Sequence, residues 1–112
     1  MSWLKSLALV SVLLAAAACV QRKPEIRVSS SLVKSGDMVL MTGTSFTPNR
    51  FAMSHLLKPD GTEYNPLRLR VDGNGEFVHK IDTVMLDIGA FELWVEDEAS
   101  KVLSNRVRFT VE

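Results

Sequence analysis

The sequence predicts an all-β domain, a two-sheet sandwich of seven short strands carried behind a removable export leader. Three observations predict it. Beyond residue 25, apolar residues recur at spacing two in short runs, and no run of helical period is long enough to compete. Each run closes on Gly, Pro, Asn or Asp, the residues that turn a chain. The first eighteen residues follow a different order, that of a secretory signal.

The leader has one early charge, Lys5, then an apolar run from Leu7 to Leu14, then Ala15 to Ala18 directly before Cys19. The stretch from Ser6 to Val20 falls short of the roughly 20 apolar residues that a bilayer-spanning helix needs. Residues 1–18 therefore read as a signal peptide. Residues 19–25 read as Cys19 and a short polar tether, with Gln21, Arg22, Lys23 and Pro24 and no period to follow. Residues 26–112 form the domain, a length that can bury one modest core. Cys19 is the sole cysteine, so no internal disulfide can form.

The seven strands begin with Ile26 and Val28. Met38 to Thr42, Phe51 to Lys58 and Leu67 to Val71 follow, and Phe77 to Ile81, Phe91 to Val95 and Val107 to Val111 complete the set. Pro59-Asp60-Gly61-Thr62 and Asp72-Gly73-Asn74-Gly75 carry turn chemistry and are expected to close hairpins. Seven such strands in this length fit a sandwich of immunoglobulin type. The serine run Ser29 to Ser31 is expected to be an exposed edge strand.

Thirteen Lys and Arg stand against thirteen Asp and Glu. Loss of Lys5 with the leader leaves the mature chain about one unit negative, too weak a field to recruit nucleic acid. His55 and His79 lie in strands without metal spacing or a triad motif, and no G-x-S-x-G, S-x-x-K or phosphate loop occurs. Asp72 to Glu76 lacks the span and the terminal acid of a calcium loop, and Glu96 to Glu98 reads as a solvated turn. The expectation is a binding or structural module with no catalysis, cofactor, metal or small-molecule substrate.

Alternation places Phe91, Leu93 and Val95 inward, with Glu92, Trp94 and Glu96 outward. In the last strand Val107, Phe109 and Val111 point in, leaving Arg106, Arg108 and Thr110 out. With Asp97 to Val102 as the hairpin, Trp94 comes opposite about Arg106, and Glu92 opposite about Arg108. These four residues are the candidate partner-binding set, because an exposed Trp beside Arg marks interaction surfaces. Stabilisation of a solvated sheet is the alternative role. On this reading Trp94→Ala leaves the fold intact. The orientation of Phe51, Met53 and His55 against Ala52, Ser54 and Leu56 stays open, and Ser29 to Val33 or Arg106 to Thr110 are candidate edges for strand addition.

Ala16-Ala17-Ala18-Cys19 resembles the bacterial lipobox, with Ala16 where Leu is usual. The resemblance implies diacylglyceryl transfer to Cys19 and a membrane anchor, and an ordinary cleavage that leaves Cys19 unmodified is the alternative. Val20 lacks the acidic residue of inner-membrane retention in that family, which points to the outer membrane. The string Gly43-Thr44-Ser45-Phe46-Thr47-Pro48, with Lys58-Pro59-Asp60-Gly61-Thr62, Asp72-Gly73-Asn74-Gly75-Glu76-Phe77 and Gly89-Ala90-Phe91-Glu92-Leu93-Trp94-Val95, looks like bacterial Ig-like domains. Those are modules of adhesins and cell-envelope proteins that usually occur in tandem, and this chain has one copy. The resemblance implies a lipid-anchored module that contacts another envelope protein through a sheet face or edge. A surface-exposed adhesin-like or exclusion lipoprotein is the second possibility, and a hydrolase, which would need a cleft at His55 or His79, is the third.

Overall fold

Alternating burial, clearest along β3 (Met38–Thr44), sorts the chain into two sheets that face one another. The computed structural model describes residues 22–112; the leader, Cys19 and the start of the tether lie outside them. The smaller sheet holds β1 (Glu25–Val28), β3 (Met38–Thr44) and β6 (Phe77–Asp82), in the order β1-β3-β6. The larger holds β2 (Leu32–Val33), β4 (Phe51–Leu57), β5 (Leu67–Arg70), β7 (Gly89–Asp97) and β8 (Val107–Val111), in the order β2-β8-β7-β4-β5. Every pairing is antiparallel except β2 with β8. A 3-10 turn at Thr83–Met85 links β6 to β7. The all-β sandwich is as expected, and all seven anticipated runs are strands.

The eighth strand, β2, revises the expectation for the serine run. Ser29 still belongs to the smaller sheet: its N–H donates to Leu40 O at 2.9 Å, and its Oγ accepts from Leu40 N at 2.9 Å. Two residues on, Ser31 O accepts from Thr110 N at 2.8 Å, on β8 of the other sheet. Ser29 to Ser31 is thus a crossing between sheets. Serine suits it because the hydroxyl supplies local hydrogen bonds where a ladder stops, as Ser30 Oγ does for Leu32 O at 2.9 Å.

Between the sheets lie Ile26, Val39 and Met41 from the small sheet and Ala52, Phe91, Leu93, Val95, Phe109 and Val111 from the large one, all essentially inaccessible. Phe91 and Phe109 stack with centroids 5.4 Å apart. Full burial of such side chains contributes about 1.5–3 kcal/mol each, which makes this layer the principal stabilising element. At Gly43 the ring of Phe77 lies where a Cβ would be, so the strand carries glycine to admit the ring. Phe46 meets that ring edge-on at 5.0 Å.

Three aspartates organise the turns. Asp60 Oδ1 accepts from Thr62 N and Oγ1 at 2.9 and 2.6 Å and closes the turn between β4 and β5, with Gly61 at φ +87°. Those bonds hold its carboxyl below the usual range. Asp72 Oδ1 accepts from Asn74 N and Glu76 N, both at 2.9 Å. The expected hairpin at Asp72–Gly75 is a crossover, because β5 and β6 belong to different sheets. Gly75, at φ +76°, packs where a Cβ would come within 2.5 Å of Phe46 O. Asp97 is buried in the β7–β8 turn, accepting from Thr47 Oγ1 and Ser100 Oγ, each at 2.6 Å, and from Thr47 N at 3.2 Å.

The two long sides of the sandwich differ. On the β1–β8 side Asn105 bridges the sheets: Ile26 N donates to its Oδ1 at 2.8 Å, and its Nδ2 donates to Ile26 O at 3.1 Å. On the other side β5 and β6 end their respective sheets.

Candidate functional site

The outer face of the larger sheet is built by three central strands whose registers bring the predicted residues together. Glu92 pairs with Arg108 across β7 and β8, and Leu93 with Val107, so the next outward step sets Trp94 beside Arg106. The Arg106 guanidinium lies 4.1 Å from the Trp94 ring centroid, and its Nη1 is 3.3 Å from Glu92 Oε1. Arg108 Nη2 reaches the other oxygen of Glu92 at 3.8 Å. One carboxylate thus sits between two guanidiniums.

β4 resolves the open orientation. His55 pairs with Trp94 and Met53 with Glu96, which puts Phe51, Met53 and His55 on the outer face and Ala52 and Ser54 in the core. The His55 and Trp94 rings are parallel within 2°, with centroids 5.3 Å apart. Trp94 is therefore packed between an imidazole and a guanidinium and is only 7% exposed. The expectation of a freely exposed indole is corrected: the side chain points outward but its neighbours cover it. For the same reason Trp94→Ala is no longer a substitution the fold should ignore.

What the face offers to solvent is arginine. The Arg106 and Arg108 side chains are 53% and 79% exposed. Arg68 on β5 extends the row. Its guanidinium lies 3.8 Å from the Phe51 ring centroid, and its Nε and Nη2 donate to Glu98 at 3.0 and 2.8 Å. That paired bond lowers the Glu98 carboxyl and raises the Arg68 guanidinium from their ordinary values. Aromatic rings beneath Arg106 and Arg68 and carboxylates beside them hold these two planar cations in fixed orientations, a geometry that suits carboxylate or backbone acceptors on a protein surface.

His55 Nδ1 is buried without a hydrogen bond and lies 3.7 Å from Glu63 Oε2. Sequence reasoning did not find this contact, because Glu63 comes from the irregular stretch after the Asp60 turn. The candidate edge at Arg106 to Thr110 is covered at its C-terminal end. β8 runs between β7 and β2, with Thr110 and Val111 paired to Leu32 and Val33. Within Ser29 to Val33, β2 does end the sheet.

His79 points into the sandwich beside a cavity of about 260 Å³ at the β5–β6 side, which Ser54, Tyr64, Asn65, Leu67 and Leu93 also line. Burial pushes the imidazole below its usual value. Among the described residues, the lining holds Ser54 and His79 and no carboxylate. Asp97, which sequence reading placed in a solvated turn, is instead buried. Burial raises its carboxyl, and the bonds from Ser100 and Thr47 outweigh that and hold it below the ordinary range. Among the described residues no group of three His, Cys, Asp or Glu side chains could hold a metal ion, and no helix is long and apolar enough to cross a membrane.

No family model and no curated protein matches the chain. Among solved structures it is similar to the cell-surface-expressed multi-modular chitinase of a Paenibacillus species, at 14% identity and a TM-score of 0.50, over 80% of this chain and 8% of the chitinase. It is also similar to a CARDB domain from Pyrococcus furiosus solved in complex with di-metal ions, at 12% identity and a TM-score of 0.47, over 80% of this chain and 86% of that one. At 14% identity the likeness to the chitinase is one of fold alone.

Proposed function

We propose that the chain is a lipid-anchored cell-envelope module that binds another envelope protein through the outer face of its larger sheet and catalyses nothing. The observation that carries this reading is the arginine row: Arg106 held over Trp94, Arg108 on the shared Glu92, and Arg68 over Phe51. Arginine is enriched where interfaces concentrate their binding energy, and a guanidinium already held in place loses less freedom when it meets a partner. The anchor rests on the lipobox-like Ala16-Ala17-Ala18-Cys19 and the leader before it. Two or three acyl chains at Cys19 would make attachment effectively stable, since each buried methylene contributes about 0.8 kcal/mol. Val20 favours the outer membrane as the address.

The experiment has two parts. A mass spectrum of the protein from membranes should show an acylated N-terminal Cys19, and crosslinking in the native host should capture one envelope protein. Arg106→Ala with Arg108→Ala should abolish that crosslink without unfolding the domain. An unmodified, freely soluble chain overturns the anchor; undiminished crosslinking overturns the face. Protease treatment of intact cells separates a periplasmic module from the surface-exposed adhesin-like or exclusion reading, which alone requires digestion.

A further inference from the structure

The side of the sandwich opposite the Asn105 bridge has two strand edges and a cavity between them. β6 pairs with β3 and β5 with β4, and each ends its sheet. An immunoglobulin constant-type domain places a fourth strand beside the strand equivalent to β6, and the smaller sheet here stops at three. The six residues of β6 therefore present main-chain donors and acceptors along one side. Behind that edge Leu67, Leu93 and Ile81 supply apolar wall, and Ser54, Asn65 and His79 supply polar groups. Ser54 is 8% exposed, while Leu67 at the mouth is 47% exposed.

We propose that this seam is a strand-addition site: an extended segment of a partner polypeptide pairs with the free edge of β6 and inserts one apolar side chain into the cavity beside His79. Two features favour a polypeptide over a free small molecule. The edge offers a ladder that only a main chain can match, and ladder bonds with a side-chain pocket are the two parts of this recognition mode. The cavity, at about 260 Å³, falls below the roughly 300–1,000 Å³ of free-ligand pockets and is of a size for one side chain. Its depressed pKa leaves His79 uncharged at neutral pH, which lowers the cost of apolar contact. On the outer side of the same strand Val78 is 66% exposed, so the strand is not guarded by charge along its whole length.

The test selects a displayed library of random nine-residue peptides on the full chain in detergent micelles and maps the enriched peptides by amide hydrogen exchange. Enriched sequences should alternate apolar and polar residues and slow exchange in Phe77–Asp82 at least tenfold. Leu67→Trp, which plugs the mouth from an exposed position, should weaken them at least tenfold, while Leu67→Ala should not. Arg106→Ala with Arg108→Ala should leave them unchanged, which separates this site from the outer face. The proposal is overturned if no peptide is enriched, if the protected amides lie elsewhere, or if Leu67→Trp has no effect. Protection of β6 by dimerisation of the chain, without peptide, overturns it as well.

Discussion

Arg106 lies over Trp94 at 4.1 Å while His55 stacks on that indole at 5.3 Å, so a tryptophan on the solvent side of a sheet is buried between a guanidinium and an imidazole. Trp94→Ala removes a large buried ring and should cost about 3 kcal/mol, toward the low end for such truncations because the indole sits at the sheet surface. Arg106→Ala should cost about 1 kcal/mol. A double-mutant cycle by urea denaturation should return a coupling of about 0.5–1 kcal/mol. Additive effects would mean that the guanidinium only passes near the ring. Arg108→Ala, more exposed and 3.8 Å from Glu92, should change stability by less than about 0.5 kcal/mol.

The Asn105 amide occupies both backbone groups of Ile26 and so ties β1 to the start of β8. Asn105→Ala leaves the Ile26 N–H and C=O unpaired near the core, which should cost about 1–3 kcal/mol. Hydrogen exchange at Ile26 should accelerate more than at Val39, which keeps its ladder with β6. Equal acceleration at both would show that the loss is global.

These residues mark where the sequence was legible. Inward positions of β7 and β8 followed from strict alternation, and the same alternation set Glu92 opposite Arg108. β4 gave no such signal, because Phe51 to Leu57 is apolar on both faces: one face meets the core, and the other carries the aromatic layer under the arginines. With its parity open, the burial of Trp94 by His55 was invisible. β2 lay inside the candidate edge Ser29 to Val33, but its place in the larger sheet was hidden because a two-residue strand has no period. Asn105 was missed because its partner lies 79 positions away, and a polar residue before a strand ordinarily reads as loop.

Asp97 gives a pH dependence with a definite sign. Its folded carboxyl lies below the ordinary value, so the folded state binds fewer protons than the unfolded one. The stabilisation is present above about pH 4, the unfolded carboxylate value, and is lost as pH falls through the lower folded value. Asp97→Asn should cost about 1–3 kcal/mol at pH 7, because Thr47 and Ser100 lose a charged acceptor. The variant should also lose less stability than the parent between pH 4 and pH 2. Urea midpoints across that range decide it, and parallel curves would remove Asp97 as the acid-sensitive group.

His79 acts in a higher window, and with the same sign. Burial beside the cavity depresses its folded pKa, so it stays neutral in the fold at pH values where the unfolded chain begins to take up a proton. Its stabilisation is present above about pH 6.5, the unfolded value, and is lost as pH falls through the folded value. Met41, opposite it on β3, offers no charge to hold an imidazolium. The stability curve of the parent should therefore slope downward from about pH 6.5 toward pH 5, and His79→Leu should flatten that slope. His55 lies on the outer face, 3.7 Å from Glu63 and away from the cavity, so His55→Leu serves as the control substitution. A slope that survives His79→Leu would remove His79 as the titrating group.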